Sequence, residues 1–327
     1  MPSLLILGGT AWLGRETARE ALARGWQVTC LARGTSGAVA PGAMLVTADR
    51  DRPGAYDAVS DTRWDAVVEV SWQPRQVREA AQAIAADRWV YVSSVAAYAP
   101  TRETIAEDAP LREPVEPDAV VDGTRYDAAK VRCELDTRAS HPDALLVRAG
   151  VIVGPGDPTE RFAYWPRRAA DAGDHAMIEP GGPMHPLQVV DVRDLVAWLV
   201  SAIEGGVTGA VNAVGPPMRF KDMVWLARAT AVSTGARVEA PPDRLADLDI
   251  RPWKGPRSLP LWHPDDGSGA RTGYHSDARF LETGATLRPL RETMRDVLAE
   301  EIELGVDREG PSGLTREEEL AALEELA

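Results

Sequence analysis

Cysteine is scarce, with two in 327 residues, Cys30 and Cys133. One falls in a stretch that reads as strand and the other in one that reads as helix, so neither belongs to a disulfide framework. The five histidines are scattered and never cluster with cysteine, and no metal site is expected. Basic charge is in deficit: 36 Lys and Arg stand against 50 Asp and Glu, a net charge of -14. Nucleic acid is thereby excluded as the main partner, because neutralising phosphates requires a basic face. No apolar run approaches the ~20 residues that span a bilayer, so no membrane partner is expected. The N-terminus enters an apolar stretch without a basic leader or a small-residue cleavage site, and a cytoplasmic location is the expectation. Repeats and low-complexity segments are absent.

What the chain does have is a glycine turn near its start. The apolar run Ser3-Leu4-Leu5-Ile6-Leu7 meets Gly8-Gly9-Thr10-Ala11-Trp12-Leu13-Gly14, and Arg15 to Gly25 then reads as a helix that stops at the glycine. Trp26 to Arg33 reads as a second strand. Strand, glycine turn, helix and strand in this order form a βαβ dinucleotide unit. Gly8 lets the chain turn sharply, and Gly14 lets the helix approach the sheet. The unpaired first-turn N–H groups and the helix dipole form a site for pyrophosphate. Ala11 stands where a three-glycine pattern has its middle glycine, and its methyl group should push the phosphates slightly outward. The alternative is a tight structural turn without a ligand.

Arg33 lies 19 positions after Gly14, where such folds read the adenosine ribose. An acidic residue there accepts from the 2′-hydroxyl of NAD, whereas arginine favours the 2′-phosphate of NADP. NADP is therefore the expected cofactor, with NAD the lesser possibility and a solvated strand-end arginine the alternative. Arg15 and Arg50 would add positive charge. Strands are expected at 43–49, where Asp49 and Arg50 would edge the adenine, at 65–71 and at 88–94, with a helix at 76–86. Near-continuous apolar strands alternating with helices indicate a parallel sheet covered on both faces, with ligands beyond its carboxyl ends. Ser71, Ser93 and Ser94 fall there. After a proline-rich surface loop from Pro100 to Pro117, Tyr126 and Lys130 share one face of the next helix.

The glycine turn, the serine pair closing the fifth strand and the Tyr126-x-x-x-Lys130 spacing together resemble the short-chain dehydrogenase/reductase superfamily. The runs Ser94-Val95-Ala96-Ala97-Tyr98 and Arg148 to Gly156 resemble its extended or atypical branch, often labelled NAD-dependent epimerase/dehydratase. The likeness is good over roughly residues 3 to 200. Ala11, the Glu69-Val70-Ser71-Trp72 run and Ala149 depart from that branch's usual residues. The resemblance implies that Tyr126 is the acid/base, that Lys130 holds the nicotinamide ribose and that Ser94 bonds the substrate oxygen. A phenol has a pKa of about 10, and an ammonium one helical turn away favours its ionised form. Ser71, Gly150 and Val151 join the expected cofactor contacts. Trp72, Tyr98, Arg161, Trp165 and His185 are the expected substrate contacts, since aromatics interleaved with arginines could line a pocket for an anionic or planar ligand or simply pack the lobe.

The expected fold is α/β, a Rossmann-type doubly wound parallel sheet with a smaller C-terminal substrate-binding lobe. Residues 1–153 would form the dinucleotide domain, with 184–215 returning to it. Residues 154–183 and 216–310 would form the lobe, and 311–327 an acidic terminal helix begun by a capping box at Thr315. Asp191 or Asp194 reads as a helix cap, and Val238 to Thr272 as an irregular cover. The expected function is an NADP-dependent oxidoreductase acting on a carbonyl or alcohol of a small molecule, as a monomer or homodimer. A nucleotide-sugar epimerase and a non-catalytic dinucleotide sensor are the alternatives.

Overall fold

The computed structural model describes residues 1–265 and 273–327. Its first half alternates strand and helix: β1 (Ser3–Leu7), α1 (Trp12–Ala23), β2 (Gln27–Ala32), β3 (Met44–Thr47), α2 (Asp57–Ser60), β4 (Trp64–Glu69), α3 (Pro74–Ala83), β5 (Ala86–Ser94), α4 (Tyr126–Ser140), β6 (Leu145–Ala149) and β7 (Val151–Val153). The second half adds α5 (Tyr164–Ala172), β8 (Met177–Pro180), β9 (Val189–Asp191), α6 (Val192–Glu204), β10 (Gly209–Ala213), α7 (Phe220–Thr230), β11 (Arg237–Ala240), α8 (Pro242–Asp247), β12 (Arg251–Trp253), β13 (Ser258–Pro260), α9 (Ala278–Glu282), α10 (Leu290–Leu304) and α11 (Arg316–Leu326).

Seven of these strands form one parallel sheet in the order β10-β6-β5-β4-β1-β2-β3. Side chains alternate between its faces, and both faces are covered except at the edge strand β3, which stays largely exposed. Leu4, Ile6, Ala66, Val68, Val90 and Val147 pack under α1 and α6 with Ala18, Ala21, Leu195 and Trp198. Leu5, Leu7, Val67, Tyr91 and Leu146 pack under α3 and α4 with Val77, Ala80 and Cys133. Burial on both sides explains why these strands read as continuous apolar runs rather than alternating ones. Each fully buried leucine contributes about 1.5–3 kcal/mol. The winding reverses between β1 and β4, which opens a crevice at their carboxyl ends.

A separate hydrophobic cluster built from residues beyond 150 includes Phe162, Trp165, Phe220, Met223, Leu259 and Trp262. Two-stranded sheets β7-β9, β8-β11 and β12-β13 frame it. The stretch from Val238 is thus more regular than its Pro/Trp content suggests, and residues 266–272 of the expected cover lie outside the described residues. Its strands are only three or four residues long and pair in part with distant partners, so no local period marks them. Pro74 opens α3 as its first helical residue, where its missing N–H costs nothing. Asp191 caps α6 through the Arg193 N–H, and Asp194 holds Arg288. The Thr315–Glu318 capping box forms as expected, and α11 packs on β8, where Glu319 accepts the Ile178 N–H. Among the described residues no helix is long and apolar enough to cross a membrane, and no cluster of three potential metal ligands occurs.

Candidate active site

The crevice is shaped first by backbone. A Cβ at Gly8, whose φ is +104°, would lie 2.5 Å from Val70 Cγ2, and one at Gly9 would lie 2.3 Å from Cys30 Sγ. A Cβ at Gly14 would lie 2.4 Å from the Gly8 carbonyl oxygen, so α1 touches the turn that precedes it. Ala11 is the exposed N-cap of α1 and offers no side-chain cap, leaving the first-turn N–H groups facing outward. Thr10 is buried, and Leu13 packs against the sheet. Trp12 reaches sideways instead, its Nε1 donating to the Pro155 carbonyl at 3.1 Å.

From this turn a cavity of about 540 Å³ runs across the ends of β2, β3 and β4, lined by Gly8, Thr10, Ala11, Arg33, Asp49, Ser71 and Trp72 among others. Arg33 stands exposed at its lip beside Thr35 and Ser36. Those two hydroxyls were not singled out from the sequence, although they directly follow Arg33 and its glycine. Arg50 also borders the cavity, but its charge is spent. Its guanidinium donates to both Glu69 oxygens, to Tyr56 Oη and to the Gln76 carbonyl. Burial disfavours that charge, and the Glu69 carboxylate more than restores it, carrying the guanidinium above its ordinary pKa. The expected contribution of Arg50 to a positive pocket is corrected: a buried carboxylate at the end of β4 claims it first. Cys30 is a buried free thiol that desolvation pushes up to about 11.

At the other side of the crevice α4 begins at Tyr126, after a 3-10 turn over Gly123–Arg125 that Asp122 caps through the Thr124 N–H. The half-buried Tyr126 ring meets Trp72 edge to face, with centroids 5.7 Å apart. Its hydroxyl has no hydrogen-bond partner among the described residues. Lys130, one turn on, is buried. Its Nζ donates to the Val92 carbonyl at 2.7 Å and the Ser71 carbonyl at 3.2 Å, 4.8 Å from the Tyr91 centroid and 5.7 Å from that of Tyr126. The third ammonium proton has no acceptor among the described residues. Both groups therefore stand at the mouth of the sheet.

The serine pair divides as strand alternation requires. Ser93 points inward and donates to Glu134 Oε1 at 2.6 Å. Ser94 is half-buried and caps the turn over Val95–Ala97 by accepting the Ala96 N–H, with no hydrogen bond to Tyr126. Glu134 also holds Arg148 through two contacts of 3.0 and 2.7 Å. Arg148 in turn donates to Tyr98 Oη at 2.8 Å, which donates to Asn212 Oδ1 at 2.6 Å. This buried chain ties α4, β6 and β10 beneath the site, and nothing in local spacing announces it. Tyr98 is thus a strut and not a substrate contact, and desolvation pushes its phenol up to about 12. Trp165 is likewise corrected: it is fully buried, donates to the Pro260 carbonyl and packs on Phe220, because α5 is enclosed on nearly every side.

Gly150 and Val151 sit where β6 passes into β7, outside the lining of the cavity. The Gly150 N–H bonds the Ala213 carbonyl, and Val151 pairs with Val189. Arg161 lies over the Trp253 ring. His185 meets His263 edge to face at 4.7 Å and borders a second cavity of about 680 Å³ with Met184, Met218 and Trp225.

The profile of the NAD dependent epimerase/dehydratase family matches residues 73–215, the span that holds Ser94, Tyr126 and Lys130. A stretch of 109 residues is 37% identical to the photosystem II assembly factor Ycf39 of Trieres chinensis, covering 28% of this chain and 34% of that protein. The chain therefore matches about a third of the length of this curated relative. Among solved structures, a putative epimerase from Burkholderia cenocepacia is 17% identical with a TM-score of 0.69, covering 91% of this chain and 97% of that one. The Bordetella bronchiseptica enzyme WbmH, solved with NAD+, is 18% identical at TM-score 0.66, with coverages of 93% and 99%. A UDP-glucose 4-epimerase from Thermotoga maritima, solved with UDP-glucose, is 14% identical at TM-score 0.68, with coverages of 92% and 99%. At such identities the likeness establishes the fold.

Proposed function

We propose that the chain is an NADP-dependent oxidoreductase acting on a carbonyl or carbinol of a small molecule, a reading supported by the match of residues 73–215 to the NAD dependent epimerase/dehydratase family model. One observation carries this reading. The Tyr126 hydroxyl and the third proton of Lys130 are both left without partners at the mouth of a crevice whose other end is a glycine cradle. A dinucleotide fits that cradle, because the backbone at Gly8, Gly9 and Gly14 leaves no room for side chains and lets phosphates approach main-chain N–H groups. When bound, the dinucleotide supplies or accepts the hydride.

The chain's own residues do the rest. Tyr126 gives a proton to the substrate oxygen during reduction, or takes it during oxidation. Lys130, fixed by two carbonyls, puts positive charge beside that phenol and offers its remaining N–H to a ribose hydroxyl. Ser94 directs its hydroxyl proton at the substrate oxygen while its lone pair caps the following turn. Trp72 walls the site against Tyr126. Arg33, with the Thr35 and Ser36 hydroxyls, receives the 2′-phosphate.

A nucleotide-sugar epimerase is the second reading, favoured by solved relatives whose names are epimerases. Fluorescence titration with NADPH and NADH tests the first: tighter NADPH binding is expected, and equal affinities would overturn the cofactor assignment. Net consumption of NADPH during turnover then separates reduction from epimerisation, which leaves the cofactor pool unchanged.

A further inference from the structure

The run Glu69-Val70-Ser71-Trp72 leaves the carboxyl end of β4, and its residues address different parts of the crevice. Val70 lies against the glycine turn, its Cγ2 occupying the space that a Cβ on Gly8 would need. The Ser71 carbonyl accepts from Lys130 Nζ and from Tyr91 Oη, each at 3.2 Å. The Trp72 ring meets that of Tyr126. Glu69, which starts the run, is fully buried and paired with the nearly buried Arg50.

A buried ion pair is a poor source of stability, because desolvating both charges offsets most of their attraction. What this pair does fix is geometry. Glu69 Oε1 takes an Arg50 N–H at 2.9 Å and, at 2.7 Å, the backbone N–H of Ser71 two residues on. Arg50 cannot swing, since its other N–H groups reach Glu69 Oε2, Tyr56 Oη at 3.0 Å and the Gln76 carbonyl at 2.9 Å. The Gln76 side chain closes the ring by accepting the Ser71 hydroxyl at 2.9 Å, and that hydroxyl accepts the Gln73 N–H at 3.2 Å. Ser71 is thus held at its N–H and at its side chain, which leaves its carbonyl one direction to point.

We propose that Glu69, clamped by Arg50, is a positioning residue: it fixes Ser71 so that the Ser71 carbonyl aims the Lys130 ammonium and Trp72 is set against Tyr126. Its part in the reaction rests on the reading of Lys130 and Tyr126 given above. A carboxylate gripped by the planar fork of an arginine keeps its oxygens in a single geometry.

The test is nuclear magnetic resonance of the full chain carrying isotope-labelled lysine. The chain has three lysines, Lys130, Lys221 and Lys254, and Lys130→Arg identifies the signals of interest. In the parent, a tethered Lys130 should give two inequivalent ε-proton signals with nuclear Overhauser contacts to the Tyr91 ring. Glu69→Asp keeps both charges and shortens the reach, and it should merge the two signals and lose those contacts. Arg50→Met/Glu69→Leu removes both charges, so that neither is stranded, and should do the same. A pair that only supports the fold would shift the urea midpoint and leave the Lys130 signals as in the parent. That outcome in either variant, or averaged Lys130 signals in the parent, overturns the proposal. The NADPH dissociation constant should rise about tenfold in Arg50→Met/Glu69→Leu, the worth of one hydrogen bond from a charged group. No such rise should occur when Lys130→Met is already present, and fully additive effects overturn the proposal. A parent that fails to bind NADPH counts against the cofactor reading alone, and the lysine signals still decide this one.

Discussion

At the glycine-turn end of the crevice, shape is made by backbone: three glycines whose added side chains would collide with Val70, Cys30 and the Gly8 carbonyl, and a helix start without a side-chain cap. In the second half, shape is made by side chains carried on short strands and loops, with Arg161, Trp253, His263 and His185 drawn from separate segments. The first kind of site leaves a spacing in the sequence, because one turn of chain must supply all of it. The second leaves composition only, since partners as far apart in sequence as Arg161 and Trp253, or His185 and His263, meet. The first should tolerate almost no added atoms, and the second should tolerate shape changes but not loss of charge.

The sharpest break lies where the two ends meet. Tyr126→Phe should lower kcat/KM by about 10²- to 10⁴-fold, the usual contribution of one positioned acid/base. NADPH affinity should stay near that of the parent, and an unchanged rate would hand the site to the sensor alternative. Next comes the wall beneath. Glu134→Leu strands Arg148 without its carboxylate, and urea unfolding should show a loss of about 3–5 kcal/mol. Gly14→Ala then probes the backbone-built end. Its methyl group meets the Gly8 carbonyl, so stability should fall by about 1–3 kcal/mol. NADPH binding should weaken with it, and an unaffected affinity would show that the cradle is not used.

Arg33→Asp asks whether the same end also reads charge through a side chain. The ratio of NADPH to NADH affinity should drop roughly tenfold to a hundredfold, the worth of a charged hydrogen bond. The smallest effect belongs to a residue remote from both ends. His141, at the far end of α4, stacks on Trp89 at 4.2 Å. Burial lowers its pKa below the usual 6.5, partly opposed by its contact with the Ala81 carbonyl. Because the unfolded chain binds this proton more readily, the stability is complete above pH 6.5 and is lost as pH falls through the lower folded value. The melting temperature should therefore decline between pH 7 and pH 5 less steeply in His141→Phe than in the parent, with NADPH binding at neutral pH unchanged.

The strands of the large sheet were legible because burial on both faces makes them continuous apolar runs, and α4 because Tyr126 and Lys130 share a face. Two kinds of error remained. Arg50 reads from sequence as a charge at the cofactor pocket because Glu69, its partner, hides within an otherwise apolar strand 19 residues away. Tyr98 and Trp165 read from sequence as ligand contacts because aromatics interleaved with arginines look the same whether they line a pocket or pack the core. Tyr98 has Arg148 and Asn212 to satisfy its hydroxyl, and Trp165 has the Pro260 carbonyl, all supplied by distant chain. The strand pairs within residues 237–260 escaped notice for the same reason.

The indole of Trp12 has one more implication. It joins the first turn of α1 to the loop at Pro155 by a single 3.1 Å hydrogen bond, and it abuts Gly156. A latch of that kind is worth about 0.5–1.5 kcal/mol, so thermal motion undoes it often. Under the proposed function, so light a fastening beside the glycine turn would suit a coenzyme exchanged on every cycle, whereas an enzyme that recycles a resident coenzyme would gain from a heavier clasp.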